Sequence, residues 1–297
     1  MTAAPLFFSI IIPTLDRPQT LSACLNAMIR LSYPRDQFEV IVVDDGGAQA
    51  LGNLLAPYFE LLDLTLLKQA NQGPGSARNL GAGQAKGNVL VFTDDDTRPR
   101  PDWLAALAVQ FRESLQCAVV GRVVNGLPKN IFSAASQMLV DYLNRYYNQE
   151  SGNARFVTSN KLAVPIRLFH ELGGFDPSFR WAAGEDRDFA DRWIHRGYRI
   201  QYDSGVVVEH AHFLTLAGFW RQHFYYGRAA FIFHQKRAGR RREKMKIGPR
   251  GFYICLLSYP FRQGLTTKSL WIFFLFFLSQ AANASGYFYE RLRWQKK

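Results

Sequence analysis

Five short apolar runs, each followed by polar or glycine-rich sequence, set the pattern of the first 120 residues. They are FFSIII (Phe7 to Ile12), FEVIVV (Phe38 to Val43), LTLL (Leu64 to Leu67), NVLVF (Asn88 to Phe92) and CAVV (Cys117 to Val120). Their apolar residues are consecutive and not alternating, which is the pattern of strands covered on both faces. Between them lie TLSACLNAMIRL, SARNLGAGQA and PDWLAALAVQF, which carry helical periodicity; the last has Pro101 and Asp102 at its start, both favourable for helix initiation. A βαβ series predicts an α/β fold with a mostly parallel, doubly wound sheet, and ligands at the carboxyl ends of its strands. With 297 residues and 48% hydrophobic side chains, the chain is large enough for one such domain and an appendage.

The acidic residues collect where such a sheet binds ligands. VVDDGG puts Asp44 and Asp45 at the end of the second run, and VFTDDD puts Asp94, Asp95 and Asp96 at the end of a later one. Three adjacent aspartates repel one another, so they either hold a cation or stand in water as a solvated turn. In a parallel sheet both strand ends open on one edge. Carboxylates gathered there, with Gly46 and Gly47 permitting close backbone approach, suit a polar ligand that carries its own divalent metal.

Charge is distributed unevenly. Residues 1–235 carry 22 Lys and Arg against 22 Asp and Glu, whereas residues 236–297 carry 14 against 2, which accounts for the whole net charge of +12. The basic part opens with KRAGRRREKMKIGPR (Lys236 to Arg250) and continues through GFYICLLSYP into an uncharged, aromatic-rich segment, Ser269 to Tyr289, bounded by Lys268, Arg291, Arg293, Lys296 and Lys297. Such a pairing suits an anionic membrane surface, each Lys or Arg near it contributing about 1 kcal/mol. SQAANASG, Ser279 to Gly286, is weakly apolar for a spanning helix; an embedded or interfacial hairpin, a span and a buried helix pair all remain open. No nucleic acid is expected, because no RNP, helix-turn-helix or zinc-finger pattern accompanies the basic run. Cys24, Cys117 and Cys255 have neither paired spacing nor an even count, and MTAAPLFFSIIIP lacks the features of a signal peptide. These features predict a protein on the cytoplasmic face of the membrane, peripheral or monotopic. Two segments are predicted: 1–235, and a basic, apolar, helical segment over 236–297.

SIIIPTLDRP, VIVVDDGG, NQGPGSARNLGAGQAKGNVLVFTDDD, LGGFDPSF and GEDRDFADRWIHRGYRI, in that order, resemble the motifs of family 2 glycosyltransferases of the GT-A fold, of the membrane-associated bacterial type. The resemblance covers residues 7–230 and implies a Rossmann-like mixed, mostly parallel sheet flanked by helices. It also implies a nucleotide-sugar half over about 1–117 and an acceptor half over 118–235. A nucleotide diphosphate sugar, with UDP favoured, would be held by Pro13, Thr14, Asp16 and Arg17 of the first strand end, by Asp45, by Arg78 of the "ARN" motif, and by Asp94, Asp95 and Asn160. The DxD element maps to Asp94 and Asp96, with Asp96 as direct ligand of a divalent metal, Mn2+ or Mg2+. His210 in VVVEHAH completes the metal shell by the same resemblance, although strand alternation puts His212 on the same face. Asp186 of GED corresponds to the base that deprotonates the acceptor hydroxyl, and Glu185 to an acceptor-binding or positioning residue.

GED is also a helix N-terminus, where acidic residues are favoured in any case, and Asp188 and Arg192 fit a structural ion pair. Gly173 and Gly174 suit a turn. Arg221 and Arg228 in RQHFYYGR suit either a phosphate clamp or a surface helix, and no QxxRW element of processive relatives is present. His170, His195, His223 and His234 read as structural. The resemblance implies an inverting, metal-assisted single displacement onto a glycan or lipid-linked acceptor. The alternatives are a nucleotidyltransferase, for which TLDRPQT is a poor phosphate loop, and a non-catalytic glycan- or RNA-binding protein.

Overall fold

A computed structural model describes residues 6–113, 115–148, 154–181, 183–241 and 249–295. The middle of the basic run, 242–248, together with Lys296 and Lys297, lies outside the described residues. In chain order the elements are β1 (Phe8–Thr14), α1 (Pro18–Ile29), β2 (Phe38–Asp44), α2 (Gly52–Phe59), β3 (Leu64–Lys68), α3 (Pro74–Gln84), β4 (Val89–Phe92), β5 (Thr97–Pro99), α4 (Trp103–Glu113), β6 (Cys117–Asn125) and α5 (Ile131–Tyr147). There follow β7 (Leu162–Pro165), α6 (Ile166–Leu172), α7 (Glu185–His195), β8 (Arg199–His210), α8 (Leu216–Arg241), α9 (Arg250–Ser258) and α10 (Thr267–Gln295). The chain forms two compact units, Met1–Val124 with Glu150–Ala211 and Asn125–Gln149 with His212–Lys297. Position 235, where the composition changes, lies inside α8.

The first unit is built on a sheet of order β3-β2-β1-β4-β7-β6-β8-β5. It is mixed. β3, β2, β1 and β4 run parallel, while β7 is antiparallel to both β4 and β6, and β5 is antiparallel to β8. β3, β2, β1 and β4 thus form a parallel block, and the antiparallel pairs beyond it give the mixed sheet that the resemblance implies. Side-chain alternation divides the sheet's apolar residues between two layers. Phe8, Ile10, Ile12, Val40 and Val42 pack with Leu21, Leu25 and Met28 of α1 and Trp103 and Leu107 of α4. Ile11, Ile41, Val43, Leu90 and Phe92 pack with Ala77 of α3, Phe169 of α6 and Phe189 and Trp193 of α7. Burial on both faces is the reason these strands are continuous apolar runs. Pro13 lies beyond Ile11, the last β1 residue paired with β4, near the strand end where a missing N–H is tolerated.

The second unit is helical. Ala135, Leu139 and Tyr142 of α5, Phe219 of α8, Leu256 of α9 and Ile272, Leu275 and Phe276 of α10 form its core. α10 runs without a break through SQAANASG, and α8 packs on it closely enough that a Cβ on Gly227 would fall 1.9 Å from the Asn283 carbonyl oxygen. Gly286 meets the Phe224 carbonyl oxygen in the same way. Among the described residues α10 is the one helix long and apolar enough to cross a membrane by length and composition.

Candidate active site

The three aspartates leave the carboxyl end of β4 and do not remain in water. The Asp95 and Asp96 side chains are 5% and 6% exposed, and Asp94 is 30% exposed. Thr14 at the end of β1 donates its hydroxyl to Asp95 Oδ2 at 2.7 Å. Arg17 Nη1 reaches Asp95 Oδ1 at 3.2 Å and Asp96 Oδ2 at 3.1 Å. The chain then turns back as β5, whose pairing puts Thr97 opposite His210 of β8. This brings His210 Nε2 to 3.1 Å from Asp96 Oδ1. Burial, reinforced by the carboxylates of Asp96 and Asp94, pushes Asp95 up to about 6 despite the opposing pull of Arg17 and Thr14. For His210, burial disfavours the proton, but Asp96 and Asp94 outweigh it and hold the imidazole above its ordinary value.

A second carboxylate pair enters from the other side of the sequence. Gly184, with φ +89°, starts α7, and Glu185 and Asp186 occupy its first turn. Arg78 of α3 joins this pair to the aspartates: its Nη1 donates to Glu185 Oε1 at 2.9 Å and its Nη2 to Asp94 Oδ1 at 2.6 Å. The guanidinium is 4% exposed. Burial alone would lower it, and the two carboxylates more than reverse that effect. Glu185 Oε2 is buried without a hydrogen-bond partner among the described residues, as is Arg78 Nε. Burial, with Asp186 beside it, raises Glu185 well above the carboxylate range. Asp186 is half-buried and also raised by burial, although the Arg187 amide donates to its Oδ1 at 2.7 Å. GED is thus a helix N-terminus, and its Glu185 faces a buried cation.

The remaining predicted residues brace loops. Asp45 accepts from Gln69 Nε2 at 2.7 Å and from the Gln72 and Gly73 amides at 2.9 Å, closing the turn that leads into α3. Gly73 has φ +90°, and a Cβ there would lie 2.5 Å from the Arg180 carbonyl oxygen, so this turn requires glycine. Asp16, at φ 51°, accepts from the Ala48 amide at 2.7 Å. Asn160 is buried and takes the Thr158 hydroxyl at 2.8 Å. Pro13 is half-buried at the end of β1. Asp188 and Arg192 form an ion pair at 2.8 Å, and Arg192 also donates to the carbonyls of Leu172 and Gly174, so that pair is structural. Arg228 is buried against Glu290 at 2.7 Å, which leaves it no phosphate-clamping role, and Arg221 is exposed on α8.

Asn79 carries a role that the sequence reading did not assign. Its Nδ2 donates to the Phe175 carbonyl at 2.7 Å and its Oδ1 accepts the Phe175 amide at 2.8 Å. It fixes the GGFD turn beside α7. Its position next to Arg78 in "ARN" was the available signal.

The donor set fits a divalent cation. Oxygen and imidazole donors about 3 Å apart are spaced as neighbours in one coordination shell, and Asp96 and His210 stand at 3.1 Å. Asp94 is the most exposed of the three carboxylates. His212 lies two residues past the end of β8.

Comparison with known proteins agrees with this arrangement. Residues 9–171 match the family description "Glycosyl transferase family 2". The glycosyltransferase AglE of Haloferax volcanii is 35% identical over 213 residues, covering 71% of this chain and 68% of AglE. The probable glycosyltransferase YdaM of Bacillus subtilis is 25% identical, covering 72% of this chain but 53% of its own length. The hyaluronan synthase of Pasteurella multocida is 25% identical, and its match takes in 24% of that protein. Among solved structures, the mannosyltransferase PcManGT of Pyrobaculum calidifontis, in complex with GDP-Man and Mn2+, superposes with a TM-score of 0.62 at 21% identity, covering 95% of this chain and 76% of that one. Staphylococcus aureus TarS in complex with UDP gives 0.56 at 18% identity over 98% and 92%. These likenesses show a shared GT-A fold, and together with the family match they identify the chain as a glycosyltransferase that belongs to glycosyl transferase family 2.

Proposed function

We propose that this enzyme moves a sugar from a nucleoside diphosphate sugar, with UDP favoured, to a hydroxyl of a glycan or lipid-linked acceptor, by single displacement with inversion. The observation that carries the reading is the buried chain Asp94–Arg78–Glu185, which couples the DxD carboxylates to the turn holding Asp186. On this reading residues 1–117 bind the donor and 118–235 the acceptor. Thr14, Asp16, Arg17, Asp45, Arg78, Asp94, Asp95 and Asn160, with Pro13 along the base, bind the nucleotide sugar. Arg17 is half-exposed on Asp95 and Asp96 and would exchange these partners for a phosphate oxygen.

Asp94, Asp96 and His210 would hold the metal, with His212 as the second imidazole candidate; a mixed oxygen and imidazole set favours Mn2+ over Mg2+. Bound there, a divalent ion would neutralise charge on the departing diphosphate. Asp186 takes the acceptor proton, and its raised proton affinity suits that task. Glu185, buried on Arg78, would position the turn that carries Asp186 toward the acceptor. The complexes of PcManGT with GDP-Man and Mn2+ and of TarS with UDP or UDP-GlcNAc support the donor class and the metal. The basic, apolar final segment supports attachment at the cytoplasmic membrane face and an acceptor made there.

Nucleotide release from a panel of UDP-, GDP- and dTDP-sugars with Mn2+ tests the proposal. Turnover with one donor is expected to fall about 10²- to 10⁴-fold in Asp186→Asn with donor binding retained. Asp96→Ala is expected to lose metal-dependent binding. Absence of metal-dependent nucleotide binding in the wild type overturns the reading.

A further inference from the structure

α10 carries large apolar residues on its outward face as well as on its buried one. Its outward stripe is Leu270, Phe274, Phe277, Ala284, Phe288 and Leu292, spaced at 4, 7, 14, 18 and 22 residues, which is one face of an α-helix. The five large residues are 52–62% exposed, and Trp271 and Tyr289 flank them at 60% and 50%. The inward face carries Ser269, Ser279, Gly286 and Glu290 among its buried residues, with Glu290 paired to Arg228. Ile272, Leu275, Phe276 and Ala282 share that buried face, so the helix carries apolar residues on both sides, and most of its aromatic rings are on the outward one. α9 and the turn after it add Ile254 at 68% and Leu265 at 78% exposure.

We propose that this stripe is a docking surface for an anionic lipid bilayer and that α10 lies in the plane of the interface without crossing it. The proposal deepens the membrane-associated reading given above. Charge selects the partner: residues 236–297 carry 14 basic and 2 acidic residues, and Glu290, the acidic one among the described residues, is buried in its ion pair. Arg262, Lys268, Arg291 and Arg293 are exposed. A second copy of so basic a face would be repelled, whereas anionic headgroups are attracted.

Geometry argues against a span. Leu270 to Leu292 covers roughly 33 Å at about 1.5 Å per residue, close to the ~30 Å of hydrocarbon, so a crossing helix would put Asn283 near the midplane. Gly227 of α8 is packed on Asn283 and would be there too. Arg221, exposed on α8 six residues away, would then lie within roughly 9 Å of that depth whatever the tilt of α8. An unpaired cation at that depth is unfavourable. With α10 in the plane, α8 stays out of the hydrocarbon.

The test uses the full chain and sealed vesicles of phosphatidylcholine with and without 30 mol% phosphatidylglycerol (~30%, an ordinary anionic load), without donor or acceptor. Flotation with the anionic vesicles is expected, and at least about tenfold weaker binding to neutral ones. Phe274→Glu with Phe277→Glu is expected to abolish binding; Phe274→Ser with Phe277→Ser, the milder pair, is expected to weaken it at least about tenfold. Both pairs should keep the wild-type melting temperature and nucleotide-sugar affinity. Epitopes at both chain ends should be cleaved by protease outside the vesicles. Unchanged flotation of the serine pair overturns the proposal, as does protection of the epitope after Lys297, which would mean a span. Wild-type dimers that dissociate with the serine pair, without flotation, would assign the face to a second copy. Failure in this assay leaves sugar transfer untouched, and failure of nucleotide release leaves flotation untouched.

Discussion

Along β1 and β2, short of their last residues, the buried residues are apolar apart from the hydrogen-bonded pair Ser9 and Glu39, and the carboxylates of the site stand at the strand ends; along α10 apolar residues lie on the buried face, beside serine, glycine and a glutamate, and on the outward face as well. In the sheet unit, one buried network has Arg17, Arg78 and His210 answering four carboxylates, Asp94, Asp95, Asp96 and Glu185, with Glu185 Oε2 left without a hydrogen-bond partner among the described residues. In the helical unit, Arg228 and Glu290 answer each other. Incomplete compensation in a buried cluster is what a ligand can complete, whereas an outward apolar stripe on a helix is what a low-dielectric surface can complete.

This contrast can be broken most severely at Arg78. Arg78→Ala leaves Asp94 and Glu185 without their cation and is expected to cost about 3–5 kcal/mol in urea unfolding. Adding Glu185→Gln should restore part of the loss; no restoration would mean that Arg78 acts by packing alone. Next is a pair of substitutions within α10. Phe276→Ala, in the core, is expected to cost about 3–4 kcal/mol, whereas Phe274→Ala, facing outward, should stay within about 0.5 kcal/mol. Equal losses would show that the outward face is packed after all.

Asp95 sharpens the comparison through pH. Its proton affinity is raised in the fold from 3.8 to about 6, so its contribution to stability is present below about pH 4 and lost as pH rises through about 6. Asp95→Asn keeps the neutral form throughout. Without metal it should exceed wild type by up to about 3 kcal/mol at pH 8, with the gain vanishing below about pH 4. A gain independent of pH would rule out the buried charge as its source. The smallest effect is at Asn79: Asn79→Ala strands the Phe175 amide and carbonyl and should cost about 1–3 kcal/mol. Full retention of stability would mean that the GGFD turn holds itself.

Which parts were legible follows from the same physics. β1 to β4 and helices α1, α3 and α4 are readable because burial on two faces writes continuous apolar runs and helices write their own period. β5, at three residues, is too short to carry a period, and β7, as short as β4, has no place in the βαβ alternation that marks the other strands, so the antiparallel pairing was not visible as such. The aspartates, GED and the histidines were found as residue types at recognisable positions. Their wiring was not, because Arg78 and Glu185 are 107 positions apart and Asn79 and Phe175 are 96 apart.

The sequence by itself determined the α/β class, the family and the sheet edge at which carboxylates gather, since these depend on local periodicity and on motif order. It also located the surplus of positive charge. Only the tertiary structure decided which carboxylate meets which cation and that Arg228 belongs to Glu290. It decided too which apolar residues of α10 are buried and which, Leu270, Phe274, Phe277, Phe288 and Leu292, face outward. Burial and pairing are properties of neighbours brought together from distant parts of the chain, and local sequence encodes them only through the fold.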